Sequence, residues 1–216
     1  MAPVLVEDIG REVAGTLGDV MIRYFLVMAV TGTSLLVADF VVGFLAAAEP
    51  HGPGAVWRPT HVLFSLATVV LLLAIHSIVY TYFVATGKWA KEVVQVYQLP
   101  DWIGTQATKN KRRAFRFIMG SMTAIAVAAW LGAAADTRGS YYAIWHLGSA
   151  AFAVACNIGS FVVEYAVIVA HVRLLTDLKD RADRMREERY GLSEARGDGA
   201  GGRPPATPRD SPVALP

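Results

Sequence analysis

Five side chains in this sequence are ionisable and set among apolar neighbours: Asp39, His61, His76, His146 and Glu164. An ionisable group in hydrocarbon costs several kcal/mol unless it is paired or hydrated, so each marks a candidate site. Histidine changes charge near neutral pH, and its ring nitrogens also ligate iron, copper and zinc. At about 100° per residue, His146, Ser149, Ala153, Asn157, Ser160, Glu164 and His171 fall on one helix face. His61, Ser65, Thr68, His76 and Tyr80 form a looser second stripe. Two polar stripes on apolar helices point to an interior pathway or a cofactor cavity.

Depth decides which of these groups can meet. His61 and His146 each lie a few residues after the start of a span, and the two spans run in the same direction, so the two rings are expected at matched depth. They can serve as the axial ligands of one b-type haem. With His51 and Asp39, Glu49 or Asp136 nearby, the same pair can instead hold copper or zinc, and a histidine in a membrane can also ligate a chlorophyll magnesium. A purely structural pair is the plain alternative. A second haem is harder to place. His76 lies about 22 Å below His61, whereas His171 lies about 37 Å below His146, at 1.5 Å per residue. His76 instead shares its depth with Asn157 and Ser160, with Glu164 one turn further on. These groups either hydrogen-bond across the bundle or form a proton relay or quinone-headgroup site that exchanges protons with the cytoplasmic side. His51 and His171 are expected outside the hydrocarbon as surface histidines.

The elements that must position these groups are four apolar spans, Tyr24 to Ala48, Val62 to Ala85, Phe117 to Ala135 and Tyr141 to Ala170. Each is near the roughly 20 residues needed to cross a bilayer. Of the 216 residues, 54% are hydrophobic and 18% charged, a balance that places the chain in a membrane rather than in solution. The first nineteen residues lack the basic and short apolar regions of a cleaved signal, so the first span is expected to be retained. The segment from Thr86 to Arg116 carries Lys88, Lys91, Lys109, Lys111, Arg112, Arg113 and Arg116, which assigns it and both termini to the cytoplasmic side of an inner membrane. Within it, Lys88 to Gln98 reads as a short helix lying on the membrane surface, with Trp89, Val93, Val96 and Tyr97 on one side. Pro59 suits a first helical turn, and Ser140 is a candidate N-cap.

Residues 1–171 thus form an all-α, four-span membrane bundle. Gly120, Ala124, Ala128 and Gly132 on the third span, and Ala151, Ala155 and Gly159 on the fourth, offer ridges for close helix contact. Residues 172–195 continue as a cytoplasmic amphipathic helix, able to dock partner subunits or simply to lie solvated, and 196–216 form a disordered Gly- and Pro-rich tail. One cysteine excludes a disulfide framework or a multi-cysteine metal site. Protease, hydrolase, nucleotide and dinucleotide signatures are missing, and a nucleic-acid role has no support. The reading is a membrane subunit of an electron- or proton-transfer complex, with His61 and His146 as haem ligands and His76, Asn157 and Glu164 as proton or quinone groups. It is a non-catalytic or electron-transfer subunit rather than a stand-alone enzyme. The rivals are a non-enzymatic scaffold or assembly subunit and a small transporter or channel.

Overall fold

The computed structural model describes residues 2–50, 52, 54–139 and 141–197. Four helices make up the fold: α1 (Ala2–Ala48), α2 (Trp57–Val96), α3 (Trp102–Arg138) and α4 (Tyr141–Gly197). All four are long and apolar enough to cross a membrane. Long runs of Leu, Ala, Val and Ile sustain them, and breaks come where the sequence supplies Pro and Gly. The α1–α2 connection holds Pro50 and Gly54, the latter at φ +101°, and α3 ends at Gly139 at φ +100°. Both angles lie in the left-handed region that glycine enters freely. Between α2 and α3, Gln98 adopts φ 52° just before Leu99-Pro100, and the Leu99 N–H turns back to the Val94 carbonyl at 2.9 Å. The helices run alternately up and down as a four-helix bundle in which α1 packs on α2 and α4, and α3 on α2 and α4. Helices α2 and α4 face each other across the diagonal. The polar stripes lie on these two.

Large apolar residues cover the outside, among them Leu63 at 69%, Val70 at 60% and Ile144 at 71% exposure. Polar groups are turned inward, with His76, Asn157, Glu164 and His171 all at 0%. Such an inversion is stable only where the outer surface meets lipid.

The helices do not stop at the ends of the apolar spans. Helix α2 runs on to Val96, so Lys88 to Val96 does not lie on the membrane surface but extends the bundle. Its Ala90 and Val94 are buried against Ile103 and Ala107 of α3 and Leu174 and Leu178 of α4. The apolar stripe of 172–195 is thereby occupied as far as Ala182 by the chain's own helices. The small-residue ridges also divide. Ala124 and Ala128 pack on Ala153 of α4, whereas Ala151, Ala155 and Gly159 point outward. His51, Ser140 and 198–216 lie outside the described residues.

The two ends of the bundle differ. The end carrying the α2–α3 turn, hereafter the basic end, holds the Lys and Arg cluster and a dense apolar core. At the opposite end, Arg58 pairs with Asp136 at 2.8 Å, and α2 begins on a carboxylate cap. Glu49 accepts the backbone N–H groups of Val56 (2.7 Å), Trp57 (2.9 Å) and Arg58 (3.3 Å). Pro59 carries no N–H, so all three N–H groups that this helix start leaves unpaired are satisfied. The Val56 N–H, with those of Arg58 and Trp57, holds the Glu49 carboxyl below its usual range.

Candidate functional site

The polar file between α2 and α4 consists of three groups stacked along the bundle. The outermost draws on all four helices. Ser65 Oγ donates to Asp39 Oδ1 at 2.6 Å, and His61 Nδ1 lies 3.2 Å from that same oxygen. Across the bundle, the His146 ring sits with its centroid 6.2 Å from that of His61, tilted by 52°. His146 Nδ1 is 3.0 Å from the Ala128 carbonyl. A carbonyl only accepts, so Nδ1 carries the proton and the neutral ring keeps its lone pair on Nε2. His61 Nδ1 bonds Ser65 Oγ at 3.2 Å, and since that hydroxyl gives its own proton to Asp39, Nδ1 is the donor there too. Both rings are therefore oriented through Nδ1, as metal-ligating histidines usually are, with Nε2 uncommitted. Each ring also rests on a glycine. A Cβ on Gly43 would stand 3.1 Å from His61 Cε1, and one on Gly132 would stand 2.9 Å from His146 Cε1.

Haem would need the two rings turned to one ion, and their centroids, 6.2 Å apart, are close enough for both imidazoles to approach it. Among the described residues no three His, Cys, Asp or Glu side chains are placed to hold a metal together. The copper or zinc alternative includes His51, which lies outside the described residues.

The middle group is fully enclosed. Asn157 Nδ2 donates to the Ala153 carbonyl at 2.8 Å, which fixes the amide so that Oδ1 faces His76 Nε2 at 3.0 Å. An amide oxygen only accepts, so His76 Nε2 carries a proton. On the other side of the ring, His76 Nδ1 lies 3.0 Å from Glu164 Oε1. Two bare lone pairs do not approach so closely, so one of the two groups is protonated, although Nδ1 makes no hydrogen bond of ordinary geometry. Ser160 Oγ donates to the same Oε1 at 2.5 Å, while Glu164 Oε2 has no protein partner. The imidazole stacks on Phe161, centroids 5.1 Å apart. Asn157 and Glu164 belong together because a step of seven residues, nearly two turns, returns to the same helix face.

His171 continues that step and forms the third group. It is buried at 0% exposure rather than lying at the surface. Thr86 Oγ1 gives its proton to the Tyr82 carbonyl at 2.6 Å and accepts from His171 Nε2 at 2.9 Å. Tyr82 and Phe83 pack on the ring at 5.8 and 5.1 Å. The sequence places Thr86 at the start of the basic segment and not on the polar stripe, although it stands eighteen residues, five full turns, after Thr68 and therefore on its face. Tyr80, by contrast, turns outward at 41% exposure. Thr68 points inward at 2%, its hydroxyl without a partner. Compared with protein-family models, curated proteins and solved structures, the chain matches none.

Proposed function

We propose that this protein is an integral-membrane subunit of a proton- or electron-transfer complex, in which His76 and Glu164 form a proton-exchanging pair. The observation that carries this reading is the approach of His76 Nδ1 to Glu164 Oε1, 3.0 Å, between two fully buried titratable groups. Such a pair has two arrangements of nearly equal hydrogen bonding, imidazolium with carboxylate or imidazole with carboxylic acid, and moving between them displaces a proton without moving the helices. Asn157 holds the ring in place in both arrangements, and Ser160 holds the carboxyl. Titratable groups buried side by side in a membrane interior are a recurring feature of proton relays. The distribution of Lys and Arg supports a cytoplasmic assignment for the basic end and both termini. The test is a pH titration of the carboxyl C=O infrared band of the full-length protein in bilayers, assigned by its loss in Glu164→Gln. The reading requires a band that changes with pH. A band that does not respond supports a scaffold, for which the mutual hydrogen bonding of these groups would suffice.

The outer pair favours a second role in the same protein. His61 and His146 would hold one haem b through their Nε2 atoms, with Asp39 and the Ala128 carbonyl orienting the rings. Bound there, haem supplies one-electron transfer. The absorbance of the purified protein, oxidised and then reduced with dithionite after expression with ample haem, tests it. A Soret band lost in both His61→Ala and His146→Ala supports this role, and its absence in the unaltered protein rules it out.

A further inference from the structure

We propose that the outward face of α3 at the basic end binds an anionic phospholipid, its headgroup phosphate held by Arg113 and Arg116 and one acyl chain seated in the groove between α3 and α4 beneath them. This surface lies on the outside of the bundle and shares no residue with the His76–Glu164 pair.

Lys109, Arg112, Arg113 and Arg116 stand three, four and seven residues apart and so occupy one side of α3. All four are exposed, while Asn110, Ala114 and Ile118 turn another side of the helix into the bundle. No acid among the described residues pairs with any of the four. By contrast, Lys88, Lys179 and Arg181 each have an acid on their own helix, Glu92 at 3.8 Å, Asp183 at 2.9 Å and Asp177 at 3.0 Å. Along α3 the nearest acid is Asp101, eight residues before Lys109 and thus about 12 Å away along the axis. Four uncompensated charges gathered within about three turns draw an anion from their surroundings. Their depth says which anion. Arg116 immediately precedes the apolar span that opens at Phe117, and Phe115 and Phe117 beside it are exposed. This is the level of the lipid headgroups, where a guanidinium meets phosphate and forms paired hydrogen bonds to it.

The same side of α3 continues into the membrane through Gly120, Thr123 and Val127, each three or four residues after the last. With Ser149 and Phe152 of α4 they line a groove of about 380 Å³. Gly120 keeps its upper part open, since a Cβ there would meet no atom within 4 Å. It lies four residues, about 6 Å, below Arg116, so one molecule can reach both the cations and the groove. The charges select an anionic headgroup over a zwitterionic one. The groove selects an anion that carries a hydrocarbon chain over an acidic segment of a partner protein.

The test is native mass spectrometry of the full-length protein from detergent micelles holding equal amounts of phosphatidylglycerol and phosphatidylcholine with identical acyl chains. The proposal requires the first retained lipid to be phosphatidylglycerol, favoured by about tenfold or more. Arg113→Gln with Arg116→Gln should abolish that preference. Lys88→Gln with Lys91→Gln removes as much charge from the same end and should preserve it. Gly120→Leu, which fills the groove with every charge intact, should lower retention about threefold or more, and Gly120→Ala should lower it less. Equal retention of the two lipids overturns the proposal and leaves the basic face to an acidic protein partner. It is overturned equally by an unchanged preference in the Arg113, Arg116 variant, by unchanged retention in Gly120→Leu, or by an equal loss in the Lys88, Lys91 variant.

Discussion

The file's chemistry depends on how few hydrogen-bond donors and acceptors are left unassigned. Around His76, Nε2 donates to Asn157, while Nδ1 faces Glu164 Oε1 at 3.0 Å, so the proton whose place the contacts leave open is the one between the ring and the carboxyl. Replacing Glu164 with Leu leaves His76 Nδ1 buried and unpaired, a loss of about 1–3 kcal/mol. Glu164→Gln keeps a donor for that nitrogen and should lose less. Thermal unfolding midpoints of the two variants in one detergent should therefore rank Gln above Leu, and the reverse order would contradict the hydrogen-bond assignment. Glu49 has a different pH dependence. Its carboxyl is held below the ordinary value by backbone N–H groups, so its support of the α2 start is complete above about pH 4.3 and fades as pH falls through the lowered value. Amide exchange at Val56 and Trp57, relative to Glu49→Gln, should be slower at neutral pH and converge in acid. At this scale the sequence already shows that Asn157, Glu164 and His171 share a face, since helical spacing alone determines it. The caps are not visible: Glu49 reaches α2 across a seven-residue connection, and nothing in local spacing announces that.

Among the elements, the four apolar spans are legible because lipid demands runs of about twenty apolar residues. The continuation of α2, α3 and α4 beyond the membrane is not, because charged residues there surround a narrow apolar seam of Ala90, Ile103, Leu174 and Leu178. Once the seams of three helices meet, a stretch that looks like a surface helix is more stable as part of the bundle. The small-residue ridges show the same limit of sequence patterns. Repeats every four residues identify a smooth helix face, but only the neighbouring helix decides whether that face is used, and α4 turns its ridge outward. Glycine matters most where it seats a histidine. In Gly132→Val the added side chain enters the space of the His146 ring, which lies within 2.9 Å of the Cβ position alone. The cost is about 1–3 kcal/mol, and the bond from His146 Nδ1 to the Ala128 carbonyl should break. A changed ring-nitrogen chemical shift for His146, with that of His76 unaltered, is the expected signature.

Taken whole, the molecule is an up-and-down bundle whose polar file is fully buried at His76, Glu164 and His171 and partly accessible at Asp39 and His61. That gradient is invisible in composition; it arises from which residues face inward. A membrane subunit built only to hold partners together has no need of two titratable groups side by side at its centre, so the titration of Glu164 separates the two readings most directly. The measurement is the infrared difference spectrum of the full-length protein in bilayers, compared with Glu164→Gln, across the pH range over which the bundle stays folded. A carboxyl band that grows as pH falls, and that is missing from Glu164→Gln, is the expected result. Spectra of the two proteins that remain superimposable across that range would contradict a proton-exchanging role for the pair.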